Sequence, residues 1–340
     1  MKDILVTGTA GFIGFHLSKR LLETGYRVIG VDNLHPYYSV DLKKARLLEL
    51  QKYSQFHFLQ EDIVELENWK EKLSSYSIKK IIHLAAQPGV RYSLENPHIY
   101  IQTNVQGFLN ILELAKELQI EHLIYASSSS VYGLNKNIPF SPHDPVDHPQ
   151  SLYGATKRAN ELMAHSYSYI YRIPTTGLRF FTVYGPWGRP DMAYFKFAKA
   201  IYEGREIPVY GEGRLKRDFT FIDDVIEGIL KLLDHSPKPK KEEKGKLLSP
   251  CESMVPFQIF NMGNHKPEEV LTLIQHLEFH LGKKAKIRFL PKPSVDVNET
   301  YADIEDIQKK IGFSPSTNLE KGISIVVRWF LDWVKRNPKI

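Results

Sequence analysis

Short apolar segments alternate, along the first half of the chain, with longer segments whose apolar residues recur every three to four positions. The short segments are typical of buried β-strands, and the longer ones of amphipathic helices. This alternation predicts an α/β fold in which a doubly wound parallel sheet carries helices on both faces. The predicted strands are 4–7, 26–31, 56–60, 81–84, 122–126 and 175–180, and the predicted helices include 15–22 and 99–118.

The pattern changes near residue 185, where several prolines and glycines interrupt it. Helices are predicted here at 193–203, 268–281, 304–311 and 319–334, while the Pro-, Lys- and Ser-rich segment 236–256 is predicted to be an insertion loop. We predict that residues 1–184 form a sheet domain to which later segments return. Residues 185–340 then form mainly a smaller α/β cap that binds substrate.

A glycine-rich loop, Gly8–Gly14, lies between the first predicted strand and the first helix. Glycines at such a turn let the backbone approach a pyrophosphate, whose charge is favoured by the helix N-terminus. The second strand ends in Asp32, at the position where a carboxylate binds the adenosine ribose. That carboxylate would repel a 2′-phosphate. The pattern therefore predicts a Rossmann-type site that binds NAD in preference to NADP.

Composition and charge exclude several classes of partner and site. The 340 residues carry a formal net charge of +6 but no basic stretch interleaved with aromatics, so no nucleic-acid partner is expected. No apolar run reaches about 18 residues, and no signal peptide precedes the first strand, which predicts a cytoplasmic protein without a membrane partner. One cysteine excludes a disulfide framework and a cysteine-rich metal site, and the 13 histidines lack the usual ligand spacings, so no metal is predicted.

Candidate catalytic chemistry is concentrated between residues 125 and 157. Four consecutive serines, 127–130, follow a predicted strand, and Tyr153 and Lys157 stand four residues apart. On a helix the phenol and the ammonium would lie on one face, one turn apart. A neighbouring ammonium favours the phenolate, so this pair is suited to acid/base catalysis of hydride transfer.

The glycine loop, Asp32, the serines and the Tyr153–Lys157 pair together resemble an extended short-chain dehydrogenase/reductase. Within that family the chain resembles nucleotide-sugar 4-epimerases, and most of all the UDP-glucuronate 4-epimerases. The subgroup resemblance rests on the segments 36–47, 87–93 and 179–192. It implies a homodimer formed through helices 99–118 and 152–171.

The resemblance also implies roles for individual residues. Tyr153 is implied as the acid/base, Ser128 as a hydrogen-bond partner of the sugar O4, and Lys157 as a ligand of the nicotinamide ribose. Implied NAD contacts, besides Tyr153 and Lys157, are Gly8, Gly11, Phe12, Ile13, Gly14, Asp32, Asn33, Asp62, Ile63, Leu84, Ala85, Ala86, Asn104 and Phe180. Implied substrate contacts are Gln87, Arg91, Ser128, Ser129, Ser130, Thr182, Arg189, Arg217 and Asp296.

The serines also bear on which reaction is catalysed. Related dehydratases and decarboxylases carry acidic residues at the corresponding positions, whereas Ser128–Ser130 offer only neutral hydroxyls. We therefore predict NAD-dependent interconversion of UDP-glucuronate and UDP-galacturonate through a 4-keto intermediate. A UDP-glucose 4-epimerase, a UDP-glucuronate decarboxylase and an NAD-binding regulatory protein without turnover remain alternatives.

Overall fold

The computed structural model describes residues 3–240, 249–292 and 297–337. Its strands are β1 (Asp3–Thr7), β2 (Arg27–Val31), β3 (Phe56–Leu59), β4 (Ile78–His83), β5 (His122–Ser128), β6 (Thr175–Phe180), β7 (Thr182–Tyr184), β8 (Glu206–Tyr210), β9 (Lys216–Phe221), β10 (Phe257–Met262), β11 (Pro267–Glu269), β12 (Lys286–Leu290) and β13 (Glu299–Thr300). Its α-helices are α1 (Phe12–Glu23), α2 (Val40–Leu50), α3 (Tyr92–Glu95), α4 (Pro97–Tyr100), α5 (Gly107–Glu117), α6 (Leu152–Tyr171), α7 (Ala193–Tyr202), α8 (Ile222–Leu232), α9 (Val270–Leu281), α10 (Glu305–Ile311) and α11 (Leu319–Arg336).

Seven strands form the main sheet, in the order β10-β6-β5-β4-β1-β2-β3, with every neighbouring pair parallel. Strand order reverses between β1 and β4, which is where ligands bind in open parallel sheets. The sheet is buried on both faces: Ile4 and Val6 of β1 join one hydrophobic cluster, and Leu5 joins the other. This two-sided burial explains why the strands read as continuous apolar runs. The predicted Rossmann-type fold is confirmed.

Residues after β6 contribute both to the main sheet and to smaller sheets outside it. Strand β10 adds an edge to the main sheet, next to β6. Separately, β9 pairs with β7, β11 and β13, and β8 pairs with β12, which makes two small sheets outside the main one. Among the residues described, no helix is long and apolar enough to cross a membrane.

The predicted helix 99–118 is wrong as a continuous α-helix. Its segment begins as α4, passes through a π-helical stretch at Ile101–Gln106 and continues as α5. A π-helical turn is a single-turn insertion, and apolar spacing over so few residues does not distinguish it from an α-helical turn, so the sequence pattern could not reveal it. Gly107 follows at once and lies against Ile63, where an added Cβ would come within 2.7 Å of the isoleucine side chain.

Candidate active site

A cavity of about 540 Å³ opens at the carboxyl ends of the central strands. We call its two parts the glycine end, around Gly8–Gly14, Asp32 and Asp62, and the tyrosine end, around Ser128, Tyr153 and Arg189. Most residues predicted from the sequence to bind ligand line this cavity. They are Gly8, Gly11, Phe12, Ile13, Gly14, Asp32, Asn33, Asp62, Ile63, Leu84, Ala85, Ala86, Gln87, Ser128, Tyr153, Lys157, Phe180 and Arg189.

The glycine loop is packed too closely for side chains. Gly8 has φ +74°, and a Cβ there would lie 2.7 Å from the backbone nitrogen of Ala85. A Cβ on Gly14 would lie 2.0 Å from the carbonyl oxygen of Gly8. Helix α1 begins at Phe12, directly after the loop. The bare backbone and the helix N-terminus form a cradle that fits a dinucleotide pyrophosphate.

Asp32 is held in place by the backbone. Its carboxylate accepts hydrogen bonds from the amides of Ala10 (3.1 Å) and Leu34 (2.9 Å). The ammonium of Lys43 lies 3.8 Å from the same carboxylate and 5.0 Å from the centre of the Tyr38 ring. Asp32 therefore faces the cavity in a fixed orientation that suits a ribose diol.

Asp62 forms the far side of the glycine end. One of its oxygens accepts from the amide of Val64 (2.9 Å) and caps a short 3₁₀-helix, and the other accepts from the side chain of Asn33 (2.8 Å). The carboxyl ends of β2 and β3 are thereby linked. Both side chains line the cavity, as the sequence predicted.

The tyrosine end unites the end of β5 with the start of α6. Ser151 caps α6 by accepting from the amide of Gly154 (3.0 Å). Tyr153 and Lys157 follow in the first turns, and Ser128 lines the same cavity as Tyr153. The ammonium of Lys157 donates to the carbonyl oxygen of Ala126 (3.0 Å). The hydroxyl, phenol and ammonium predicted from spacing thus share one cavity.

Burial controls the protonation of this pair. It raises the pKa of Tyr153 above the usual value of 10, against the opposing effects of the neighbouring Ser128 hydroxyl and the Arg189 charge. It lowers the pKa of Lys157 to about 8. The phenol is therefore protonated at neutral pH in the protein alone, and catalysis needs a further positive charge nearby to favour the phenolate.

A buried ion pair between Arg179 and Glu161 holds the residues that flank Ser128–Ser130. This pair was not predicted from the sequence. Arg179 donates to both carboxylate oxygens of Glu161 (2.8 and 3.0 Å), and neither side chain is exposed. Glu161 also accepts from the Ser127 hydroxyl (2.7 Å), and Arg179 donates to the Tyr132 hydroxyl (3.0 Å). Residues on both sides of Ser128–Ser130 are therefore held from inside the sheet domain.

Asn104 lies behind the cavity wall rather than on it. It is 1% exposed and holds the backbone of Gln87 by accepting from its amide (2.8 Å) and donating to its carbonyl (3.1 Å). Gln87 itself lines the cavity. Asn104 sits in the π-helical stretch, which directs its side chain toward the turn after β4. In the protein alone it positions the wall.

The remaining predicted substrate contacts lie partly on the cavity wall and partly outside it, and Ser130 accepts a hydrogen bond from the cavity residue Ser128 (3.2 Å). Arg189 lines the cavity but is paired with Asp191 (3.0 Å), which also accepts from Tyr37 (3.3 Å). Arg91 lies over the Tyr210 ring, 4.7 Å from its centre. Ser129, Ser130, Thr182, Arg91 and Arg217 are not among the residues that line the cavity. Asp296 lies outside the described residues.

Arg217 lies on β9 and donates to the carbonyl of Lys216 (2.8 Å). Ser129 and Ser130 form a 3₁₀ turn directly after β5, and Thr182 begins β7. The structure therefore gathers the predicted cofactor contacts more completely than the predicted substrate contacts.

Lys43 and Tyr37 also line the cavity but were not predicted as site residues. A signal for Lys43 exists in the sequence. Lys43 and Arg46 share one side of α2 with the buried Leu47 and Leu50. Cations on an apolar stripe indicate buried partners, and here Lys43 meets Asp32 while Arg46 donates to the carbonyl of Ala10 (2.8 Å).

Comparison with known proteins identifies the family. The model of the NAD dependent epimerase/dehydratase family matches residues 4–244. An uncharacterized 37.6 kDa protein from Escherichia coli O111:H- is 52% identical over 331 residues, covering 97% of this chain and 99% of the relative. A probable UDP-glucuronate 4-epimerase from Rhizobium meliloti is 47% identical over 332 residues, covering 96% of both. The chain belongs to the NAD-dependent epimerase/dehydratase family.

A solved structure agrees with this assignment. The crystal structure of UDP-glucuronic acid 4-epimerase from Bacillus cereus, in complex with UDP-glucuronic acid and NAD, matches with a TM-score of 0.84 and 33% identity. The match covers 97% of this chain and 99% of that one. The predicted NAD cofactor and the predicted resemblance to nucleotide-sugar epimerases are confirmed. The roles of individual residues stay predictions.

Proposed function

We propose that this protein interconverts UDP-glucuronate and UDP-galacturonate by epimerisation at C4, with NAD as a resident cofactor. The observation that carries the proposal is that Ser128, Tyr153 and Lys157 line the same cavity as the glycine loop. The glycine end would hold NAD through Gly8–Gly14 and Asp32. Bound NAD supplies the acceptor that takes a hydride from C4 of the sugar and returns it.

The chain's own residues then manage the proton and the position of the sugar. Tyr153 takes the O4 proton as C4 is oxidised and gives it back when the hydride returns to the other face. Lys157, one helical turn away, favours the phenolate by its charge, and the cationic nicotinamide of bound NAD would supply the further positive charge. Ser128 holds O4 against Tyr153. Between the two half-reactions the 4-keto sugar turns over while its nucleotide stays anchored.

The choice of a uronate rests on Ser128–Ser130. A 4-keto uronate is a β-keto acid and loses carbon dioxide readily. A carboxylate beside Tyr153 would repel the substrate's own carboxylate or move protons, and this serine segment has none. Neutral hydroxyls can hold the carboxylate and keep the breaking bond out of line with the carbonyl. The similarity to the probable UDP-glucuronate 4-epimerase of Rhizobium meliloti and to the Bacillus cereus enzyme bound to UDP-glucuronic acid supports the same substrate.

The test is to incubate the purified protein with UDP-glucuronate and follow the anomeric sugar signals by NMR. Appearance of UDP-galacturonate, approached from either side, supports the proposal. A UDP-pentose product would instead indicate a decarboxylase, and unchanged UDP-glucuronate with turnover of UDP-glucose would indicate a neutral-sugar epimerase. If NAD is bound but no sugar nucleotide is turned over, the result would favour a regulatory protein.

We further propose that the protein is a homodimer formed through α5 and α6. Both helices carry large apolar side chains that are exposed in the single chain, including Leu109 (40%), Leu162 (56%) and Ile170 (60%). Covering such surface is favourable in water. Light scattering after size-exclusion chromatography tests this, with Leu162→Glu expected to yield monomer and Leu48→Glu, at an exposed leucine of α2, as the matched control.

A further inference from the structure

Three side chains that commonly bind metals meet outside the catalytic cavity. Cys251, His143 and Asp306 each offer a ligand atom, and these atoms lie within 4.8 Å of one another. His143 lies in the loop between β5 and α6, Cys251 in the stretch before β10, and Asp306 in the first turn of α10. None of them lines the cavity that contains Tyr153. The proposed epimerase chemistry has no use for them.

The ligand atoms of this cluster lie within reach of one ion. The Cys251 sulfur lies 3.4 Å from His143 Nδ1 and 3.9 Å from Nε2, and Nε2 lies 2.7 Å from Asp306 Oδ2. Around Zn²⁺, ligand atoms bonded at about 2.0–2.3 Å stand roughly 3.3–3.6 Å apart. An ion would thus draw sulfur and nitrogen slightly together and move nitrogen and oxygen slightly apart, changes that side-chain rotation can supply.

Ser249, which is not itself a proposed ligand, hydrogen-bonds the histidine of the cluster. His143 Nδ1 is 2.8 Å from the Ser249 hydroxyl, which also lies 3.2 Å from the Cys251 sulfur. A histidine that binds a metal through one nitrogen usually donates a hydrogen bond from the other, which fixes its tautomer and orientation. Ser249 provides that partner and leaves Nε2 directed toward Asp306.

Exposure defines how an ion would enter. The side chains of His143 and Asp306 are 47% and 35% exposed, whereas Cys251 is 2% exposed. The thiol therefore forms the inner side of the cluster, and solvent reaches the outer side, where a water molecule can take the fourth position. A thiol this buried is not placed to attack a substrate.

We propose that Cys251, His143 and Asp306 form a binding site for a thiophilic divalent cation of the zinc class. A mixed sulfur, nitrogen and oxygen set suits Zn²⁺ and its spectroscopic substitute Co²⁺. The bound ion joins the loop before α6 to the segments around β10 and α10. That loop also contains Pro142, whose carbonyl accepts a hydrogen bond from Arg179 (3.3 Å). The proposed metal site therefore lies next to the buried Arg179–Glu161 ion pair.

The experiment titrates Co²⁺ into the chelator-treated full chain and records absorption spectra. One equivalent should bind, with a thiolate-to-cobalt charge-transfer band in the near ultraviolet, and Zn²⁺ should abolish the band by displacement. Cys251→Ser should remove the band. His143→Gln and Asp306→Asn should each weaken binding at least about tenfold, and Ser249→Ala about 10- to 100-fold. His98→Gln, at an exposed histidine elsewhere, should bind as the wild type does.

Thermal unfolding gives a second readout that does not depend on activity. Zn²⁺ at a hundred times its dissociation constant should raise the Tm of the wild type by about 5 °C and leave the Cys251→Ser and His143→Gln proteins unchanged. His143→Gln changes an exposed side chain, so it keeps the test valid if Cys251→Ser does not fold. Absence of the charge-transfer band in the wild type, or its survival in Cys251→Ser, would overturn the proposal.

Discussion

At the glycine end of the cavity, Gly8, Gly14 and Asp32 are positioned by backbone contacts, whereas at the tyrosine end Arg189 is held by the side chain of Asp191. The first arrangement is complete before any ligand arrives. In the second, a cation expected to meet the substrate is already engaged by the protein. We infer that the glycine end is preorganised and that the tyrosine end exchanges internal partners for those of the substrate.

The largest expected effect separates chemistry from cofactor binding. Tyr153→Phe removes the proposed acid/base, so turnover of UDP-glucuronate should fall by about 10²- to 10⁴-fold. NAD should remain bound, because the glycine end is untouched. Turnover by NMR and the NAD content of the purified protein measure the two parts. Tyr202→Phe, outside the cavity, serves as the control, and full activity in Tyr153→Phe would refute the assigned role.

A second substitution, at Lys157, tests whether the tyrosine end lowers the free energy of unfolding. Burial lowers the pKa of Lys157 from 10.5 to about 8, so between these values the unfolded chain binds the proton and the folded chain does not. The free energy of unfolding due to this group therefore rises with pH across that range. Below pH 8 the charged, buried ammonium is destabilising by about 3 kcal/mol.

Lys157→Met should accordingly be more stable than the wild type by about 3 kcal/mol at pH 7.5, with the difference shrinking toward pH 10.5. Urea unfolding of the NAD-free proteins at several pH values measures it. Lys196→Met, at an exposed lysine of α7, should show no such trend. A difference between Lys157→Met and the wild type that does not change with pH would contradict this account.

The preorganised glycine end can be broken by one methyl group. In Gly14→Ala the new Cβ would lie 2.0 Å from the Gly8 carbonyl oxygen, so α1 has to move away from the loop. NAD affinity should fall about 100-fold. Gly25→Ala is the control, because its positive φ is strained but no atom lies within 4 Å of the added carbon. Calorimetric titration with NAD distinguishes the two variants, and equal affinities would refute the comparison.

The smallest expected effect concerns Arg217, a predicted substrate contact outside the residues that line the cavity. Arg217→Gln should raise the KM for UDP-glucuronate about tenfold with little change in kcat, because a charged hydrogen bond to the substrate is lost equally from the ground state and the transition state. Arg205→Gln, at an exposed arginine paired with Glu203, should leave KM unchanged. If both variants behave alike, Arg217 does not contact the substrate.

The glycine end could be predicted from sequence because its determinants are local. Strand, glycines, helix and Asp32 lie within one βαβ unit, and periodicity places them. The tyrosine end was predicted in part, since Tyr153 and Lys157 share a helix, but Glu161 and Arg179 looked like ordinary helix and strand residues. Arg189 and Asp191 stand two residues apart, but their spacing alone does not show that they pair. The meeting of His143 with Cys251 depends on how distant segments fold together, which spacing does not encode.

The small sheets outside the main one were harder to predict for a related reason. Strands β11 and β13 have three and two residues, too few for a pattern, and β12 is largely exposed although Ile287 and Phe289 alternate with charged residues. They are specified by pairing with β8 and β9, not by their own composition. The segment containing Asn104 shows the opposite case, where a clear periodicity concealed a π-helical turn.

The position of β10 has a consequence for synthesis of the chain on the ribosome. β6 needs β10 as its outer neighbour, yet about 75 residues separate them in sequence. At about 5–20 residues per second, β6 leaves the ribosome roughly 4 to 15 seconds before the strand that covers it. During that interval the nascent chain presents an open strand edge, the kind of surface that chaperones shield and that neighbouring nascent chains can pair with.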